Sequence, residues 1–475
     1  MTELHLPWLD LMVLVPLIGA LLIARLNDAF VARQRTVYVC GITLLLAIGA
    51  WQDFELSGAA HADDAWHIST LLFRRELFEM DLLSAPLLPM TALLHFLTAL
   101  TTQRTKVRRF SFAAMLFSES VLLATLSTVE PWSIIALLAI GTIPPGLELM
   151  ARGRSTRVYL VHMVAFVVLL VLGWSFVSIE DDSRVHSLWA VLPLLGAVLI
   201  RSGMAPVHCW LTDLFENVTL GTAVLTVTPL IGMYTAARLV LPIAPDWVLQ
   251  YIGVVSLATA VYAAGMALVQ REARRFFCYL FLSHSALVLV GLEMVSELGL
   301  TGALCLWLSV GLSLGGFGLV LRALEARRGR VMLNEFQGLY DNTPVLAVCF
   351  FLTGLGSIGF PGTLGFVGAE LLVDGAVETY PYIGFAVVIA ASLNSIAIVK
   401  AYFYIFTGTR HASTVSLAIR NRERIAVLFL VTLIIFGGLF PQPGMLLRSR
   451  AARELLTRRH GETEAVELPV IEEQH

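Results

Sequence analysis

The chain has 475 residues, 57% of them hydrophobic and 14% charged, with a formal net charge of −3. A soluble domain carries about 25% charged residues, and a water-facing surface this apolar would aggregate. A bilayer is the solvent that accepts such a chain, and the lack of a basic tract argues against a nucleic-acid interface.

A spanning helix needs roughly 20 mostly apolar residues. Fourteen segments qualify or come close: 7–25, 37–51, 82–102, 110–128, 131–150, 157–177, 186–203, 220–242, 247–269, 276–293, 300–322, 344–360, 382–406 and 424–443. The first lacks a basic flank and reads as a spanning helix, not a cleavable signal. The second is short.

The loops alternate in charge. Arg33 and Arg35, Arg104 to Arg109, Arg152 to Arg157, Arg271 to Arg275, Arg327 to Arg330, and Arg410 to Arg424 fall on one side. Asp63 and Asp64, Glu180 to Asp182, Glu293 and Glu297, and Glu378 fall on the other. Positive charge marks cytoplasmic loops, so both termini are expected outside. The tail runs against this rule, because it carries Arg448, Arg450, Arg453, Arg458 and Arg459.

The five cysteines, Cys40, Cys209, Cys278, Cys305 and Cys349, form no CxxC pair. Zinc and iron–sulfur ligation are not expected, and neither is any cofactor.

Breakers interrupt two spans at membrane depth: Gly203 and Pro206 in the seventh, and Pro361, Gly362 and Gly365 in the twelfth. Discontinuous helices in corresponding halves of a chain point to a transport site. Pro144 and Pro145 in span five and Pro229 in span eight read as simple kinks.

Three stretches carry a resemblance. They are RSGMAPVHCWLTDLFENVTLGTAVL from Arg201, ALVQREARRFFCYLFLSHSALVLVGL from Ala267, and GFPGTLGFVGAELLVDG from Gly359; AYFYIFTG from Ala401 adds to them. Together they resemble the antiporter-like, proton-conducting membrane subunits of respiratory complex I (subunits L, M and N), the large Mrp antiporter subunits, and the membrane partner of DAB-type inorganic-carbon pumps.

The resemblance implies an all-α integral membrane fold of about fourteen transmembrane helices. It would hold helices 1–3 (1–109), a first five-helix repeat (110–242), an inverted second repeat with helices 9–13 (247–410), a last span (411–443) and a C-terminal tail (444–475). It also implies a row of ionisable residues at mid-membrane, and there this chain departs from the family. The helix-seven lysine falls on Arg201, which holds its proton permanently. The helix-five glutamate falls near Ala139 or Ile140, the helix-eight lysine or histidine on Thr226, the polar helix-eleven positions on Leu306, Val310 and Leu314, and the helix-twelve charge on Ala369.

Charges inside spans are costly and usually functional. The candidates for the ion pathway are Arg201, His208, Asp213, Glu216, His284, Glu370 and Lys400. Asp213 or Glu216 is expected to fold back and pair with Arg201. Glu370 and Asp374, four residues apart, share one helix side, and Lys400 must snorkel, pair or line water. The structural alternatives are snorkelling for Arg201, packing for the two histidines, and an outer helix end for Asp374.

The function implied is a proton- or cation-translocating membrane subunit of a complex I-like NADH:quinone oxidoreductase or related assembly, non-catalytic in itself. The alternatives are the coupling subunit of a DAB-type carbon-uptake complex, with a soluble carbonic-anhydrase-like partner, and a non-conducting structural subunit. Other membrane subunits, lipid and a soluble redox subunit are the expected partners.

Overall fold

The computed structural model describes residues 2–66, 77–179, 186–379, 381–409 and 419–460. The first two predicted spans are α1 (Trp8–Ala24) and α2 (Ala29–Ser57), and α2 is longer than its apolar core suggested. Spans three and four are α3 (Leu87–Thr101) and α4 (Phe112–Leu126). Span five is kinked before Pro144 into α5 (Pro131–Gly141) and α6 (Ile143–Ala151), and span six is α7 (Arg157–Ile179). Span seven comprises α8 (Leu188–Ser202) and α9 (Cys209–Asn217). Span eight comprises α10 (Leu220–Val227) and α11 (Ile231–Thr235), the latter extended by a π turn to Val240.

Next come α12 (Asp246–Val269), α13 (Ala273–Glu293) and α14 (Glu297–Arg328). Span twelve is α15 (Pro344–Ser357) with α16 (Leu364–Thr379), followed by α17 (Pro381–Phe406), α18 (Asn421–Leu439) and α19 (Gln442–His460). Every predicted span therefore falls on helix. Among the described residues, eight helical segments are long and apolar enough to cross a membrane, nine if the bent pair α18–α19 counts as one, and the remaining spans fall on five shorter apolar helices.

Both predicted breaks are present, and the same device builds each. Gly203 adopts φ +71° and Gly359 φ +72°, left-handed values that glycine takes without steric cost. After each glycine the next amide closes a six-residue turn, from Met204 N–H to Leu199 O (2.9 Å) and from Phe360 N–H to Leu355 O (3.1 Å). That is the Schellman termination of a helix. In lipid the freed backbone groups need partners. Trp210 Nε1 donates to Ile200 O (2.8 Å), and Ala205 N–H donates to Thr259 Oγ1 on α12 (3.2 Å). Thr363 N–H and Oγ1 both donate to Phe360 O at the second break.

Span eight corrects the sequence reading. In place of a simple kink at Pro229, the helix stops at Val227, and Leu230 takes φ +53° before α11 begins. The left-handed region is strained for a leucine. Trp307 Nε1 donates to the Pro229 carbonyl freed by the break, at 3.1 Å.

Side-chain contacts sort the loops onto two ends of the bundle. At one end Arg33 donates to Leu100 O, Gln103 and Arg327 both reach Glu423, Arg152 donates to Arg109 O, and Arg330 bonds Glu272 and Glu216 O. This arginine end gathers the described loops that the charge pattern grouped together. Arg410 and residues 180–182 lie outside the described residues.

The opposite, acidic end holds two features that the sequence reading missed. A small sheet joins β1 (Thr2–Leu4), β2 (His61–Asp64) and β3 (Glu79–Asp81), with β2 central. The supposed tail is helical from 442 to 460 and bends 79° away from α18. Its arginines do not violate the charge rule unaided, because acids at this end meet them. Arg453 pairs with Glu297 (2.6 Å), Arg459 with Asp246, and Arg458 with Glu454 (2.7 Å). Arg448 is buried and donates to the carbonyls of Leu82 (2.5 Å) and Leu83 (3.2 Å).

His61 locks α19 to the sheet. Its Nε2 meets Glu454 at 2.8 Å and its Nδ1 meets Glu79. Glu454 first, then Glu79, raises its pKa to about 9, against desolvation and the nearby Arg458. A histidine whose folded pKa is raised stabilises fully below its unfolded value of about 6.5, and that stabilisation is lost as pH rises through the folded value. Protection of residues 442–460 from proteolysis or hydrogen exchange is therefore expected to weaken between about pH 6.5 and pH 9. A His61→Gln variant is expected to be weakly protected across the whole range.

Candidate ion pathway at the helix breaks

The two breaks in spans seven and eight meet. A cavity of about 20 Å³ lies between them, lined by Arg201, Ser202, Trp210, Leu230, Gly232 and Ser285, among others. That volume is enough for about one water molecule. Strained Leu230 thus sits beside the terminus of α8. Gly232 lets the two segments close, since a Cβ there would stand 2.3 Å from Ser202 Oγ.

Arg201 occupies the last turn of α8. Its Nη2 lies 3.4 Å from Thr226 O, and its guanidinium carbon lies 5.6 Å from the centre of the Trp210 ring. Thr226, the position on which the resemblance places a helix-eight charge, thus meets Arg201 through its backbone carbonyl.

The expected ion pair with Asp213 or Glu216 does not form. Asp213 accepts from Asn217 Nδ2 (2.9 Å), and Glu216 pairs with Arg275 at the arginine end. The reason is the direction of α9. It leads away from the break toward the arginine end, so each further residue carries its acid about 1.5 Å farther off. Among the described residues no carboxylate forms an ion pair with Arg201. The cation is held by a carbonyl, an indole face and the small cavity.

Ser285 belongs to a polar run on α13, Ser283-His284-Ser285, and all three residues are buried. Ser285 lines the cavity. His284 Nε2 is buried without a partner among the described residues. Ser283 Oγ donates to Ala260 O (2.8 Å) and accepts from Asn394 Nδ2 on α17 (2.8 Å). Consecutive helical residues point about 100° apart, so this run presents polar groups from the span-seven break round to α17. His208 packs edge-on against Tyr262 (ring centroids 5.6 Å apart) and lies 6.1 Å from Tyr279, outside this run.

The second-half candidates do not join it. Glu370 and Asp374 are exposed on the outer face of α16. They do share one helix side, but it is the outward one. Lys400 is exposed on α17 and donates to Leu268 O at the end of α12 (2.9 Å). That is a snorkelled position, not an interior one.

Several buried or half-buried ionisable groups were missed. Glu119 is fully buried on α4, and Cys40 Sγ donates to its Oε2 (3.0 Å). Arg322 on α14 donates to Thr98 O and Thr102 Oγ1, both at 2.8 Å. Arg238 forms a two-point ion pair with Asp81 (2.6 and 2.9 Å). Each is a lone charge within or at the edge of an apolar span, so the cost of intramembrane charge marked them all.

Comparison with known proteins agrees with this fold. Residues 165–395 match the family described as NADH:quinone oxidoreductase/Mrp antiporter, transmembrane. The chain is 24% identical to NADH-quinone oxidoreductase subunit M of Pseudomonas aeruginosa, over 92% of this chain and 94% of that one. It is 29% identical to subunit M of Rickettsia bellii, over 53% of this chain and 52% of that one. A chain of respiratory complex I from Thermus thermophilus superposes with a TM-score of 0.83 at 21% identity, covering 95% of this chain and 99% of that one. A chain of the Mrp complex from Dietzia sp. gives 0.81 at 18% identity, covering 94% and 97%. The shared motifs, the broken helices and these likenesses agree: over residues 165–395 the chain matches the NADH:quinone oxidoreductase/Mrp antiporter family, and along nearly its whole length it shares the fold of these membrane proteins.

Proposed function

We propose that this chain is a membrane-embedded proton- or cation-translocating subunit of a complex I-like or related ion-coupled complex. The observation that carries this reading is the meeting of two helix interruptions around Arg201 and a water-sized cavity, next to the polar run Ser283–Ser285. In a bilayer, broken backbone is tolerated where it lines a site. Arg201 does not release a proton. It sets a fixed positive field, and the moving proton or cation is passed by water, Ser285, His284 and the Asn394 side of α17. The repeat boundaries 110–242 and 247–410 belong to the same proposal. Affinity capture of the tagged chain from native membranes is expected to bring down further multi-pass subunits; isolation of the chain alone, at full stability, speaks against the assembly.

A second reading, a non-conducting structural subunit, is favoured by one observation: Glu370 and Lys400 face outward and leave no charged partner for Arg201 in the second half.

The proposed location is the inner membrane, with the arginine end in the cytoplasm and both termini outside. Single cysteines introduced at 103–109 and 271–275 are expected to resist a membrane-impermeant thiol reagent applied to intact cells, while one near Asp246 reacts. Labelling of 103–109 from outside overturns this orientation.

A further inference from the structure

At the arginine end, an open pocket of about 620 Å³ lies between α4 and α6. Arg108, Arg109, Arg152 and Arg154 line it, and Glu148 is its one acid. That carboxylate is already used, since it accepts from Arg152 Nε (2.8 Å), from Thr219 N–H (2.7 Å) and from Thr222 Oγ1. Arg108, Arg109 and Arg154 have no ion-pair partner among the described residues, and all three are exposed. The pocket therefore presents three uncompensated guanidiniums at the level where the helices end.

A second concavity, of about 330 Å³, runs along the outer face of α6 and α7, lined by Ile143, Leu147, Met150, Leu160 and Val164, among others. It is apolar, and Leu147 is shared by both concavities. Leu147 is 51% exposed, Met150 56% and Val164 58%. A basic pocket that opens onto an apolar groove along the membrane normal has the shape and charge of one amphiphile, with an anionic head on an acyl chain.

We propose that this face is a binding site for an anionic glycerophospholipid. Its phosphate is gripped by Arg108, Arg109 and Arg154, and one acyl chain lies in the α6–α7 groove. Guanidiniums hold phosphate oxygens by paired, charge-assisted hydrogen bonds, and basic pockets between helices select acidic headgroups. The groove commits the site to a lipid over a free phosphate, because an inorganic anion leaves the exposed Leu147–Val164 surface uncovered. The other basic pocket at this end is lined by Arg33, Arg104, Arg420 and Arg422 and shares no lining residue with the α6–α7 groove, and so serves as an internal control.

The test is native mass spectrometry of the purified full-length chain in mixed micelles holding equal phosphatidylglycerol and phosphatidylcholine. One phosphatidylglycerol is expected to stay bound in preference to phosphatidylcholine. Arg108→Gln/Arg109→Gln/Arg154→Gln is expected to cut its retention by at least about tenfold. Leu147→Trp, which changes no charge and sits on an exposed position, is expected to cut it as well. The charge-matched set Arg104→Gln/Arg420→Gln/Arg422→Gln is expected to leave it intact. Equal loss from both arginine sets means a diffuse field and overturns the site. So does equal retention of the two lipids, displacement by glycerol 3-phosphate as effective as displacement by intact lipid, or a protein chain crosslinking to residue 147 in the native complex with no lipid bound.

Discussion

Replacing Asp81 with alanine is expected to destabilise the protein by about 3–5 kcal/mol, the usual cost of stripping one partner from a buried ion pair. Asp81 and Arg238 are 2% and 4% exposed in their side chains. Without the carboxylate, the guanidinium keeps only the Tyr234 face, 5.1 Å away, which is a weak substitute. Arg238→Ala is expected to cost less, because Asp81 retains the Ser84 amide (2.9 Å) and Arg458 at 4.0 Å. The double change Asp81→Leu/Arg238→Met is expected to recover most of the loss, since an apolar pair of similar volume avoids the desolvation of two charges. Thermal midpoints in detergent rank the three variants, and an Asp81→Ala protein as stable as the parent removes the argument.

Arg201 carries the second large effect. Alanine in its place is expected to reduce proton flux to the level of protein-free vesicles while the complex still assembles. Assembly survives because the α8 terminus is held by the Gly203 turn and the Trp210–Ile200 bond, neither of which uses the Arg201 side chain. Arg201 has no carboxylate partner among the described residues, and a charge inside a span is costly, so its removal leaves no buried counter-charge behind. Arg201→Lys keeps the charge and is expected to keep part of the flux. Assembly lost together with flux, in both variants, would mark a purely structural arginine.

The span pattern was legible because lipid demands it: runs of apolar residues, with arginines collected at alternate loops. The breaks were legible because Gly203 and the Gly359-Phe360-Pro361-Gly362 stretch are poor helix interiors. The break at Leu230 was not, because a leucine in the left-handed region carries no sequence signal. Strands of three or four residues such as Thr2–Leu4 show no periodicity, and α19 was hidden by its arginines, whose partners Asp246 and Glu297 become neighbours only in the fold. Charge in a span is the signal that singled out Arg201, and it marks Glu119 and Arg238 equally. It could not say which way a helix face turns: Glu370 and Lys400 are exposed in the fold, Lys400 in the snorkelled position that was one of its expected alternatives.

The most direct measurement is proton flux through proteoliposomes containing the purified complex under an imposed potassium-diffusion potential, read with an internal pH dye. The account predicts voltage-driven acidification well above that of protein-free vesicles. Acidification equal to that of protein-free vesicles, from a complex shown to be intact and inserted, contradicts it and leaves the chain a structural member of the membrane arm.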